Sequence, residues 1–104
     1  MRTKYSQDQI NKTKSIAKLI GDTSNLLILY ELINFGEKSF NELKRMTDIN
    51  AVTLSKKLTL LKAEGLVECQ VHGNENRYFP THKTEQLQPL MKNIEHLVMN
   101  SEEV

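Results

Sequence analysis

Between Ile49 and Thr81 the stretch INAVTLSKKLTLLKAEGLVECQVHGNENRYFPT changes its hydrophobic period once, at Gly65. Ahead of the glycine, Leu54, Leu58 and Leu61 fall at i, i+4 and i+7, so they share one face of a helix. Asn50 stands where a side-chain oxygen can cap that helix, and Gly65 stops it. Behind the glycine, Val67, Cys69 and Val71 alternate with Glu68, Gln70 and His72, the period of a half-buried strand. HGNENR supplies turn residues before the return strand RYFPT, in which Pro80 marks an edge or a strand end. A helix tied this closely to a hairpin must bury its leucines against elements upstream.

Those elements can be read from their caps. Ser39 with Glu42 three residues on forms a capping box that opens the short helix FNELKRM, with Phe40 and Leu43 inward and an end near Thr47. A four-residue turn leads from it to the helix capped by Asn50. Asp22, Thr23 and Ser24 are N-cap candidates for NLLILYELINF, whose apolar residues run nearly all the way round and predict a buried central helix ending at Gly36. Before it, an amphipathic helix from about Gln7 to Ile20 carries Ile10, Ile16, Ala17, Leu19 and Ile20 and stops at Gly21. At the other end, KTEQLQPLMKNIEHLVM spaces Leu87, Leu90, Met91, Ile94, Leu97 and Val98 helically, with Pro89 beginning or bending its first turns.

Two short helices joined by a tight turn and followed by a hairpin make a helix-turn-helix with a wing. The expected fold is mainly α with a small β-hairpin (α+β), one winged helix-turn-helix domain across residues 1–104. Its helix-turn-helix spans residues 39–64 and its wing residues 66–81, between terminal helices at 7–20 and 84–100.

With 104 residues, of which 38% are hydrophobic, such a domain buries only a modest core. Apolar stripes on its terminal helices then call for a second copy. Ile10, Ile16 and Leu19, with Leu87, Met91, Ile94 and Val98, are the expected interface of a homodimer. No run reaches the roughly 18 apolar residues of a membrane span, and MRTKYSQDQINKTKS lacks a signal-peptide core, so the expected location is cytoplasmic. The single Cys69 cannot form an internal disulfide, and its phase with Val67 and Val71 makes it a core residue.

Charge is uneven although the net value is only +1. The first 18 residues set Arg2, Lys4, Lys12, Lys14 and Lys18 against Asp8. Residues 38–62 set Lys38, Lys44, Arg45, Lys56, Lys57 and Lys62 against Glu42 and Asp48, whereas the tail from 84 sets Lys92 against Glu85, Glu95, Glu102 and Glu103. A basic centre suits double-stranded DNA. With the leucines turned inward, the opposite side of the second helix presents Lys56 and Thr59, with Val52 and Thr53 at its N-terminal end and Ser55 on its flank. Asn50, Thr53, Ser55, Lys56, Lys57 and Thr59 are the candidate DNA contacts on the helix, and Asn74, Asn76 and Arg77 those on the wing. No Gly-rich phosphate loop, nucleophile with a marked base or paired carboxylates point to an enzyme, and no cofactor motif occurs. The rival from another class is a winged helix used for protein contact without DNA binding, since fold alone does not make a DNA binder.

SFNELKRMTDINAVTLSKKLTLLKAEGLV resembles the DNA-binding core of the HxlR family of bacterial winged-helix transcriptional regulators. IGDTSNLLILYEL is similar to the family's central helix and its approach. Thr81 and Lys83, then Leu87, Pro89, Leu90 and Met91, follow its Thr-x-Lys and Leu-x-Pro pattern at the last helix. The likeness covers roughly residues 16–95. It implies a homodimer joined by terminal helices, with the second helix of the motif reading DNA, and the two-fold symmetry of such a dimer calls for an inverted-repeat operator. Three departures stand out: Ser24 or Asn25 replaces the usual tryptophan, HGNEN replaces a longer proline-bearing wing, and the N-terminal cysteine of redox-sensing members is absent. The short wing also resembles the ArsR family of metal-responsive repressors. FNELKRM has no cysteine ligand, however, and His82, Glu85 and His96 lack a close-spaced second pair, so no metal site is expected.

Overall fold

The computed structural model describes residues 4–101. Arg2 of the basic N-terminal segment, and Glu102 and Glu103 of the acidic tail, lie outside the described residues. The chain runs α1 (Gln7–Ile20), α2 (Thr23–Phe35), β1 (Lys38–Ser39), α3 (Phe40–Thr47), α4 (Ala51–Ala63), β2 (Val67–His72), β3 (Glu75–Pro80), a 3-10 turn (Thr84–Leu87) and α5 (Gln88–Ser101). None of the described helices is long and apolar enough to cross a membrane.

Local chemistry sets the helix starts. Ser6 and Gln9 form a reciprocal capping box on α1, Asp22 caps α2 through the Asn25 N–H, and Ser39 and Glu42 box the start of α3. Asn50 Oδ1 accepts the Thr53 N–H at 2.9 Å to open α4. Gly65, at φ +75°, turns the chain out of α4 in a conformation that costs glycine little. The turn between α3 and α4 is shorter than the expected four residues. Thr47 stays in α3, where its hydroxyl donates to the Leu43 carbonyl at 2.6 Å, and Asp48 adopts the left-handed conformation that aspartate tolerates.

Ile28, Leu29 and Leu32 of α2 meet Leu43, Ile49, Leu54, Leu58, Leu61, Leu66, Val67 and Met91 in one core. Each fully buried large side chain contributes about 1.5–3 kcal/mol of transfer free energy. The central helix is not buried all round, because Leu27 and Phe35 reach solvent.

The hairpin belongs to a three-stranded antiparallel sheet of order β1-β3-β2. Strand β1, too short to show a period, pairs Lys38 with Tyr78 and Ser39 with Arg77, which makes β3 the central strand. Pro80 ends that strand opposite Val67. Of the turn residues in HGNENR only Gly73 and Asn74 lie outside the strands, with glycine in the positive-φ first position of a tight hairpin. Alternation predicts Val71 on the inner side with Val67 and Cys69, but Val71 is 72% exposed because the hairpin projects past the core it leaves behind.

A second correction concerns α5. Met91, expected at a subunit interface, is completely buried within its own chain. Leu87 and Ile94 pack beside the same core, and the Met91 carbonyl accepts from Asn34 Nδ2 at 3.2 Å. Pro89 lies in the first turn of α5, where its missing N–H leaves no helical bond unmade.

Candidate nucleic-acid interface

Three buried leucines hold α4 to the core and thereby set which of its residues face out. Val52, Ser55, Lys56 and Thr59 are exposed along one face of the helix. Thr53 is half-buried at its N-terminal end, and the exposed Asn50 caps it. The Thr59 hydroxyl donates to the Ser55 carbonyl at 2.8 Å, so its oxygen remains free to accept.

Lys57 does not share this face. It is turned toward the start of α2, where Nζ lies 2.9 Å from Asp22 Oδ2, and its side chain is 28% exposed. Lys56 and Lys57, both expected as phosphate contacts, thus point in different directions, since neighbouring helical residues lie about 100° apart. Asp22 uses its other oxygen to accept the Asn25 N–H at 3.0 Å. That backbone bond, followed by the Lys57 ammonium, holds the Asp22 carboxyl below its ordinary pKa.

Arg77, expected as a DNA contact on the wing, is likewise engaged within its own chain. Its guanidinium lies 3.2 Å from Glu75, 3.4 Å from Glu37 and 3.5 Å from Glu42, and its side chain is only 23% exposed. Position in the sheet explains this. As the partner of Ser39, Arg77 sits over the junction of β1 and α3 rather than at the hairpin tip. Glu42 accepts the Ser39 N–H and receives Arg77 on the same oxygen. The Ser39 backbone bond first, then the Ser39 hydroxyl, lower the Glu42 pKa against the opposing effect of burial, and Arg77 adds a smaller lowering. Asn74 and Asn76 remain exposed on the hairpin.

Tertiary structure adds neighbours to the exposed α4 face. A shallow depression at the α3–α4 turn is lined by Asn41, Lys44, Arg45 and Asn50. Lys44 and Arg45 are exposed in the last turn of α3, where cations complement the helix dipole. The sequence marked them only as part of a basic segment; their spacing of six and five residues from Asn50 was the available signal.

The expected subunit-contact residues divide between two environments. Ile10 is half-buried, and Leu19, Leu87 and Ile94 lean on the core of their own chain. Ile16 and Val98 are exposed, as are Leu90, Leu97 and Met99, which lie outside the expected set. Among the described residues no group of three or more His, Cys, Asp or Glu side chains could hold a metal ion. His82 pairs with Glu85 at 3.2 Å.

A tri-helical core with an exposed, partly basic α4 and an adjoining hairpin is a winged helix-turn-helix fold, and together with the family assignment it makes the chain a DNA-binding transcription regulator. The family model described as HxlR-like helix-turn-helix matches residues 19–104, and the chain belongs to that family. No curated protein matches the sequence. Among solved structures, the chain is similar to a predicted DNA-binding transcriptional regulator from E. coli, with 25% identity and a TM-score of 0.71 over 85% of this chain and 94% of that one. It also resembles the transcriptional repressor BigR from Xylella fastidiosa, at 27% identity and a TM-score of 0.72, covering 85% of this chain and 90% of that one. Quinone-bound YodB from B. subtilis shares 28% identity at a TM-score of 0.72, covering 86% and 96% respectively.

Proposed function

We propose that the chain acts in the cytoplasm as a homodimer that binds double-stranded DNA at an inverted-repeat operator. In this reading α4 enters the major groove and the β2–β3 hairpin reaches the flanking backbone or minor groove. One observation carries it: Ser55, Lys56 and Thr59 stand outward on a helix anchored from behind by Leu54, Leu58 and Leu61. Ser55 and Thr59, with Asn50 and Thr53 at the helix start, are the candidates for base edges, Thr59 acting as an acceptor. Lys56, joined by Lys44 and Arg45, meets phosphates, and Asn74 and Asn76 serve the hairpin. Lys57 reaches DNA only by leaving Asp22, and Arg77 only by leaving its three carboxylates.

Support for the dimer comes from apolar residues that their own chain leaves uncovered. Helix α1 has no buried residue, and Ile16 is 54% exposed, while Leu97 on α5 is 69% exposed. Two-fold symmetry then sets half-sites about one or two helical turns apart, each roughly 10 base pairs.

Binding titrations at several salt concentrations, against the chain's own upstream region and a scrambled duplex, test the reading. Lys56→Ala should weaken binding to both duplexes nearly equally and make the salt slope shallower by about one. Ser55→Ala should instead relax preference at particular bases by about 1–3 kcal/mol. Equal binding of both duplexes by the wild type, with the same salt slope in Lys56→Ala, would remove α4 as the reading helix and favour the protein-contact alternative.

A further inference from the structure

The hairpin leaves the body of the protein at Arg77. Strand β1 pairs with Tyr78 and Arg77 of β3, so beyond Arg77, among the described residues, the ladder narrows to β2 and β3. Residues 70–76, which form the projecting part, are all exposed. An isolated two-stranded ribbon is marginal by itself, so its direction depends on what holds its base. At that base the Arg77 guanidinium joins three elements. Its Nε lies 3.4 Å from Glu37 of the α2–β1 loop, and its Nη1 lies 3.5 Å from Glu42 of α3 and 3.2 Å from Glu75 of its own strand. Two of these carboxylates stand on backbone that is itself fixed. The Lys38 ammonium donates to the carbonyls of Phe35, Gly36 and Glu37 at 2.8, 3.2 and 3.3 Å, which holds the loop that carries Glu37. Glu42 is held by its capping box with Ser39 at the start of α3. A planar guanidinium with several donors serves such a set at once.

We propose that Arg77 is a positioning residue: it fixes the direction of the β2–β3 hairpin relative to α3 and α4, and the hairpin, not the Arg77 side chain, meets DNA. Each of its ion pairs is partly exposed and adds little to global stability. Their effect is on orientation, because Glu37 and Glu42 draw the base of the hairpin toward the β1–α3 junction. Charge argues against a contact role. A phosphate approaching Arg77 meets Glu37, Glu42 and Glu75 around the cation, and like charges repel it. The consequence for DNA rests on the DNA-binding reading above; the orientation of the hairpin does not.

The test compares the full chain with its Arg77→Gln and Glu37→Ala variants. In the free protein, residual dipolar couplings of the backbone amides report the direction of Val71–Asn76 relative to α3 and α4. The hairpin couplings should shrink relative to those of the helices in Arg77→Gln, and less so in Glu37→Ala, with urea midpoints close to the wild type. Couplings that still fit the wild-type hairpin direction in both variants would overturn the proposal. If Arg77→Gln folds poorly, Glu37→Ala, at a half-exposed loop position, decides alone. Hydroxyl-radical footprinting and titration on the chain's own upstream region carry the orientation to DNA. Arg77→Gln should keep the central protection, lose the flanking protection and bind about fivefold more weakly. Glu37→Ala separates a tether from a contact by sign. Removing a carboxylate would free a phosphate-binding arginine, so a contact role calls for tighter binding and a steeper salt slope, whereas positioning calls for weaker binding. Tighter or unchanged binding by Glu37→Ala would refute the positioning role in DNA binding. An absent footprint for the wild type would refute the DNA-binding reading instead, and the dipolar couplings would still decide what sets the hairpin's direction.

Discussion

Replacing Met91 by alanine separates the core of one chain from the surface between two. Met91 is wholly buried on α5 beside Leu87 and Ile94, and the Asn34 bond to its backbone oxygen survives the substitution. The loss therefore reports the side chain alone. Full burial of a methionine is worth about 1.5–3 kcal/mol in transfer, and the cavity left by incomplete collapse raises the usual cost of Met→Ala to about 2–5 kcal/mol. Alanine also has the higher helix propensity, which offsets a few tenths of a kcal/mol. The expected loss is about 3 kcal/mol, read from urea unfolding followed by circular dichroism at fixed protein concentration. Sedimentation under native conditions should return an unchanged self-association constant, because no atom of this side chain reaches solvent. A loss below about 1 kcal/mol together with weakened self-association would refute the packing argument and return Met91 to a subunit interface.

Leu97→Asp, at an exposed position on the same helix, should do the reverse, lowering the sedimenting mass toward the monomer with little change in monomer stability. Asp22→Asn should flatten the acid limb of stability. The folded-state pKa of Asp22 is depressed, so its contribution is present above the unfolded value of about 3.9 and is lost as pH falls through the folded value. Asparagine keeps a capping oxygen without the charge, so urea midpoints compared from neutral to acid pH should converge at the acid end. Cys69→Ala, opposite Tyr78 in the β2–β3 ladder, should cost modest stability and leave both DNA affinity and its response to oxidants unchanged. Loss of an oxidant response in gel-shift assays would show that Cys69 is more than a packing residue.

Features governed by neighbours a few positions away could be read directly from the residues. The Ser39–Glu42 box, the Asn50 cap, the leucine row of α4 and the Gly65 exit need only helix geometry and one or two side chains, and each appears where its spacing implies. The family match over residues 19–104 agrees with the resemblance carried by those same motifs. Features governed by distant partners could not be read in this way. Strand β1 is two residues long and exists because β3 offers it hydrogen bonds. Lys57 and Arg77 look like free cations along the chain, but Asp22 stands 35 positions from the first, and Glu37 of the α2–β1 loop, 40 positions before the second, and Glu42 of α3 reach Arg77 only in the folded chain. Met91 and Val98 share a hydrophobic stripe, yet one faces α2 and the other solvent, because a period locates a face without saying which protein covers it. Side-chain periodicity and capping are local interactions, whereas ion pairing, strand pairing and burial depend on which surfaces the folded chain brings together.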